Sequence, residues 1–163
     1  MSISHLTTGF TLSGFTINGS VNFDGNIGTL TMTDLDVSQA TINPGIWIHA
    51  QTGNVVMTNV RSSHNAFSGA SITNTSGGNV TINGSAILSL DDAGVDMSTA
   101  TRNLDVNCPV QMTSASNWSV ASPRTATFAG IISGYPGLTK NGAGTVELNA
   151  ANTYSGDTTV SAG

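Results

Sequence analysis

The sequence predicts an all-β fold, a right-handed parallel β-helix of about seven coils of 20–25 residues running through residues 1–163 as a single segment. Three observations carry that prediction. Short apolar alternations of period two recur at a nearly constant distance. Most of them follow a glycine or a small polar turn. Gly, Ser, Thr and Asn fill 78 of the 163 positions, while charged residues make up only 8%.

The alternations are Phe10/Leu12, Leu30/Met32, Val55/Met57, Val80/Ile82, Leu104/Val106, Ala126/Phe128 and Val146/Leu148. Their second members lie 20, 25, 25, 24, 22 and 20 residues apart. Period two over three to five residues marks a strand with one buried face. Gly28, Gly53-Asn54, Gly78-Asn79 and Gly144 supply the preceding turns. A second apolar pair follows about 14 to 16 residues downstream, at Ile46/Ile48, Ala70/Ile72, Val95/Met97 and Trp118/Val120, with Leu138 and Val160 as later partners. Two strands per repeat at a fixed offset make each repeat one turn of a coil, and they lie too close together for helical crossovers. Stacked coils pair parallel strands about 4.8 Å apart, so seven coils give a rod on the order of 30 Å long. Leu12, Met32, Met57, Ile82, Val106, Phe128 and Leu148 then form one buried column. A β-sandwich is the rival fold, but its strands have no reason to repeat in this register.

Composition limits the function. An average soluble chain has roughly 25% charged residues. Here solubility rests on hydroxyls and amides, and 38% of the residues are hydrophobic, more than a disordered chain carries. Nine acids against four bases give a net charge of −5, which leaves no basic patch for a nucleic acid. One cysteine, Cys108, excludes an internal disulfide and a multi-cysteine metal site. No apolar run reaches the roughly 20 residues of a membrane helix. The opening Met-Ser-Ile-Ser-His-Leu lacks a basic stretch followed by an apolar one, so it is not a signal peptide. The expectation is a piece of a longer exported protein, located outside the cell or on a bacterial surface.

The last 26 residues, LTKNGAGTVELNAANTYSGDTTVSAG, carry the most specific motif in the chain. Leu138, Lys140, Gly142, Gly144, Thr145, Leu148, Asn152, Thr153, Tyr154, Gly156, Thr158, Val160 and Gly163 stand at its fixed positions. This segment strongly resembles the autotransporter-associated β-strand repeat, also called the passenger-associated transport repeat; Val146 stands where Leu is common. The resemblance implies a right-handed β-helix in the passenger of a large secreted bacterial protein, associated with export and folding rather than catalysis. Gly142 and Gly144 suit a tight corner. Val146 and Leu148 face inward, and Tyr154 covers a coil edge with its hydroxyl in water. GNVVMTNV (residues 53–60) and GNVTINGSAIL (78–88) resemble generic β-helix coils more loosely, which implies fold alone.

Parallel β-helices also serve polysaccharide-cleaving enzymes, so catalytic groups were sought in register. Hydrolysis of a glycosidic bond needs paired carboxylates across it. Asp91-Asp92 is the nearest candidate, but the neighbouring coils offer Ala66-Phe67 and Ala115-Ser116 at that offset. Asp34 and Asp36 have no partner in register. A lyase needs a basic group; Arg61, Arg102, Arg124 and Lys140 fall at different offsets and read as turn residues. His5, His49 and His64 show no ligand spacing, and no Gly-x-Ser-x-Gly elbow occurs. Cys108 reads as a buried free thiol. Met32 and Met57 share the core column. Trp47, between two inward isoleucines, is expected to point outward, where it could stack on a sugar or be packed by a loop; Trp118 aligns with Ile46 and Val95 and is expected in the core. Thr33, Thr58, Asn83, Asn107 and Asn149 read as a polar ladder along the axis.

The functional expectation is a non-catalytic structural or adhesive rod of an autotransporter-like protein, with no cofactor and no metal. Its partners would be neighbouring coils, copies of itself end to end, or a surface glycan or protein receptor. A self-assembling filament subunit and a polysaccharide-cleaving enzyme are the alternatives.

Overall fold

The computed structural model describes residues 1–5, 7–25, 27–39, 41, 46–63, 70–74, 78–85, 87–90, 92 and 94–163. Its elements are parallel strands that wind as a β-solenoid of about six turns, with no helix among the described residues. The seven alternations of the sequence are strand positions, and the turns are the intervals between them. The chain divides into two compact units, Met1–Gly84 and Ser85–Gly163.

In the first unit each coil has three strands. The first coil holds β1 (Ser2–Ser4), β2 (Phe10–Ser13) and β3 (Thr16–Asn18). The second holds β4 (Val21–Asp24), β5 (Leu30–Thr33) and β6 (Asp36–Ser38). The third holds β7 (Ile46–Gln51), β8 (Val55–Thr58) and β9 (Arg61–Ser63), and β10 (Ala70–Asn74) and β11 (Val80–Asn83) follow. Like strands stack on like, so β1-β4-β7-β10, β2-β5-β8-β11 and β3-β6-β9 form three parallel faces. The column Leu12, Met32, Met57 and Ile82 is in register rung by rung. The first three of these are buried and Ile82 is partly buried. Val21 and Phe23 of β4 stand in register with Ile46 and Ile48 of β7, all four buried.

Two corners explain why the coils stack. At the first, Gly28, Gly53 and Gly78 lie on successive coils, and a Cβ at Gly53 would run into the Gly28 carbonyl. Only a residue without a side chain allows the backbones to approach that closely. At the second, Asp34 and Asn59 adopt φ of 52° and 53°. Asx residues enter this left-handed region most readily after glycine. Asn59 Nδ2 donates to Asp34 Oδ1 at 2.9 Å, joining the two coils. Thr33, Thr58 and Asn83, expected to form a ladder, are stacked in register one residue earlier.

The second unit repeats the plan with β12 (Leu88–Leu90), β13 (Val95–Met97) and β14 (Leu104–Val106), then β15 (Val110–Met112), β16 (Ser116–Val120) and β17 (Thr125–Phe128). After these come β18 (Ile132–Gly134), β19 (Leu138–Asn141), β20 (Thr145–Leu148) and β21 (Thr158–Val160). The faces here are β12-β15-β18, β13-β16-β19-β21 and β14-β17-β20. Val106, Phe128 and Leu148 align as a column. Trp118 is fully buried, in register with Val95, and its ring stacks on Phe128 with centroids 4.4 Å apart. Ile46, the other residue expected to align with Trp118, stacks with Val21 and Ala70 inside the first unit.

Candidate functional site

The C-terminal coil is built by β19, β20 and β21, and each residue of its motif has a visible task. Leu138 is buried, in register with Ser116 and Thr158. Lys140 corrects the expectation of a turn residue. It lies in strand β19, at the rung where Trp118 lies one coil before and Val160 one coil after, and only 8% of it is exposed. A buried ammonium requires partners. Lys140 Nζ donates to the carbonyls of Gly142 at 2.6 Å and Ala162 at 2.7 Å. One side chain thereby ties the corner after its own strand to the segment after β21. A Cβ at Gly163 would stand 2.7 Å from that ammonium.

The glycines and polar residues complete the coil. Gly142 turns with φ of 77°, and Gly144 packs against the backbone of Ala121 and Arg124, where a Cβ would crowd both carbonyls. Thr145 N–H donates to the Arg124 carbonyl at 2.9 Å, which starts β20 against β17. Leu148 then falls beside Phe128. Asn152 Oδ1 accepts from Ile132 N–H at 2.8 Å, and Thr153 N–H donates to the Ile132 carbonyl at 2.8 Å. Tyr154 Oη and Thr158 Oγ1 are hydrogen-bonded at 2.6 Å, bracing the turn around Gly156, whose Cα approaches the Gly137 backbone. Val160 is 64% exposed on β21.

The remaining candidates do not assemble. Arg61 belongs to strand β9 rather than to a turn, a second correction that follows from the third strand in each coil. Arg102 and Arg124 lie in irregular segments. Asp92 is exposed, while Asp91, His64 and the Ala66-Phe67 offset lie outside the described residues. Trp47 falls in β7, with its side chain outside the described set. Cys108 is buried, and that burial pushes its thiol above the ordinary range, the reverse of what a nucleophile needs. Hydrogen bonds from the Ser98 hydroxyl and backbone N–H hold the Asp96 carboxyl below its usual value, closing the turn after β13. No group of three His, Cys, Asp or Glu side chains among the described residues could hold a metal ion. No described helix is long and apolar enough to cross a membrane.

One pairing escaped the sequence reading. His49 Nδ1 and Asp24 Oδ1 lie 3.0 Å apart on adjacent coils, both half-exposed. Their separation of 25 residues equals the coil length there, so the register Asp24–His49 was available in principle.

Residues 138–163 match the family model of the passenger-associated transport repeat. Searches of curated proteins and of solved structures return no match. The fold and the repeat together define a parallel β-solenoid of the autotransporter-passenger kind. The matched segment coincides with the coil that Lys140 clasps.

Proposed function

We propose that this chain is a non-catalytic structural segment of an exported, autotransporter-like passenger, displayed outside the cell or on its surface. The observation that carries the reading is the C-terminal coil, where a family-matched segment is also a complete stacking unit. Its fixed positions all go to closing corners and joining coils. None of them converges on a space where a substrate could react. Repeats of this family are typically structural. The test places the chain between a signal peptide and an autotransporter β-barrel in a Gram-negative host, then measures surface display by external protease digestion. Removing residues 138–163 should lower the folded, protease-resistant material at the surface several-fold. Equal display with and without the segment would sink the reading.

A second reading, stacking of copies end to end, is favoured by one feature. β21 is an outer strand of its face, and an open strand edge templates further pairing. Sedimentation across concentrations tests it, with Val160→Pro to remove a donor from that edge. A monomer at every concentration would exclude self-stacking and leave the edge to the next coil of a longer chain.

A further inference from the structure

The outer face of β12-β15-β18, all within the second unit, is organised in three rows that the scaffold reading does not use. The parallel register places Leu88, Val110 and Ile132 on one inward rung, so Ile87, Pro109 and Ile131 precede them on successive coils. Ile87 and Ile131 are exposed, and they make an apolar row. Two residues further along each strand, on the same face, come Ser89, Gln111 and Ser133, a row of hydroxyls and an amide. Beyond it lie Thr113, Tyr135 and Ser155, where Tyr135 stands 90% exposed, the most exposed large apolar-bodied side chain described. Gln111, Thr113, Ser133, Tyr135, Thr153 and Ser155 border a shallow groove of about 530 Å³.

The hydroxyls of this groove are fixed in orientation. Thr113 Oγ1 donates to the Leu90 carbonyl at 3.1 Å, Ser133 Oγ to the Val110 carbonyl at 3.2 Å, and Ser155 Oγ to the Tyr135 carbonyl at 3.3 Å. Each has spent its single proton on the backbone, and each keeps lone pairs free to accept. The groove is thus an array of acceptors, with the Gln111 amide adding donors. No Asp, Glu, Lys or Arg borders it, so it offers no counter-charge to an ionic ligand. The ligand that complements it is neutral, rich in hydroxyl donors, and possesses an apolar face for a tyrosine ring.

We propose that this groove binds a neutral hexose polysaccharide, with Tyr135 stacking on a sugar ring and Ser133, Thr113 and Ser155 accepting from its hydroxyls. The groove crosses three coils, about 10 Å, which accommodates two to three sugars of an extended chain laid along the solenoid. Aromatic stacking on the C–H face of a pyranose uses the apolar body of Tyr while its hydroxyl stays in water. The binding is separate from export and from stacking, and its failure would leave those readings untouched.

The test is native affinity electrophoresis of the full chain through gels holding β-1,3-glucan, β-1,4-glucan or α-mannan, with heparin as the anionic comparison. At least one neutral polymer should retard the protein, and heparin should not. Tyr135→Ala should weaken that retardation at least tenfold with an unchanged melting temperature, since the ring is almost wholly outside the fold. Ser133→Ala should weaken it as well, and Phe15→Ala, an exposed aromatic of the first unit, should not. Absence of retardation by all three neutral polymers overturns the proposal. So does retardation by heparin alone, or a Tyr135→Ala variant that migrates like the parent.

Discussion

Lys140 shows how a single residue can belong to the core by its position and to the corners by its chemistry. Its stem stands where Val95 and Trp118 stand on earlier coils, and its ammonium serves two carbonyls separated by a whole coil. Lys140→Met fills a similar volume but leaves both carbonyls short of a donor. The expected loss is about 1–3 kcal/mol, read as a lower urea midpoint with an unchanged slope. Cys108 makes a second prediction with a definite sign. Its thiol is raised by burial, so the folded chain retains the proton at pH values where the unfolded chain has lost it. Stability is therefore level below the unfolded thiol's pKa, about 8.5, and declines as pH rises through the higher folded value. Cys108→Ala should abolish that decline, which urea titrations between pH 7 and 10 would show. Neither residue's environment was fully legible in the sequence. Apolar neighbours foretold a buried Cys108, but Lys140 resembled a turn residue because the carbonyls that satisfy it are set by the next coil.

At the scale of the strand, the sequence reading succeeded where alternation and spacing agree. Leu12, Met32 and Met57, and again Val106, Phe128 and Leu148, were assigned to one column and stand in register. It missed the third strand of each coil. β3, β6 and β9 are three residues long, with one apolar residue at most, as Ile17 and Val37 show. Such a strand is held by its neighbours above and below rather than by its own pattern, and period two cannot be recognised from one apolar position. The His49–Asp24 pair was hidden for the same reason, since it exists only between coils. The glycine corner gives the prediction for this scale. Gly53→Ala sets a methyl against the Gly28 carbonyl, and the coils must separate to admit it. A loss of more than about 1 kcal/mol is expected, visible as a lower melting temperature. Asn54→Ala should cost less, because it removes only the bond that Asn54 Oδ1 accepts from Asn79 N–H.

Taken as a whole, the chain is held by hydrogen bonds and apolar columns, with little help from charge. Four bases and nine acids are spread over 163 residues, and the exposed His49–Asp24 contact contributes little in water. Unfolding free energy at neutral pH should therefore change by less than about 1 kcal/mol between low salt and 0.3 M sodium chloride, once screening is substantial. A larger loss on adding salt would mean that ionic contacts carry more of the fold than the described residues show.

Gly28, Gly53 and Gly78 each precede their strand by two residues, although the coils that carry them differ in length. Length variation is thereby confined to the other corners. A coil that gains or loses residues there still delivers its glycine, and the strand after it, to the same slot. Inherited changes of coil length then alter what the surface displays while the columns inside keep their partners. A lineage of such chains could diversify outwardly by insertion and deletion, mutations that in most folds would scramble the interior.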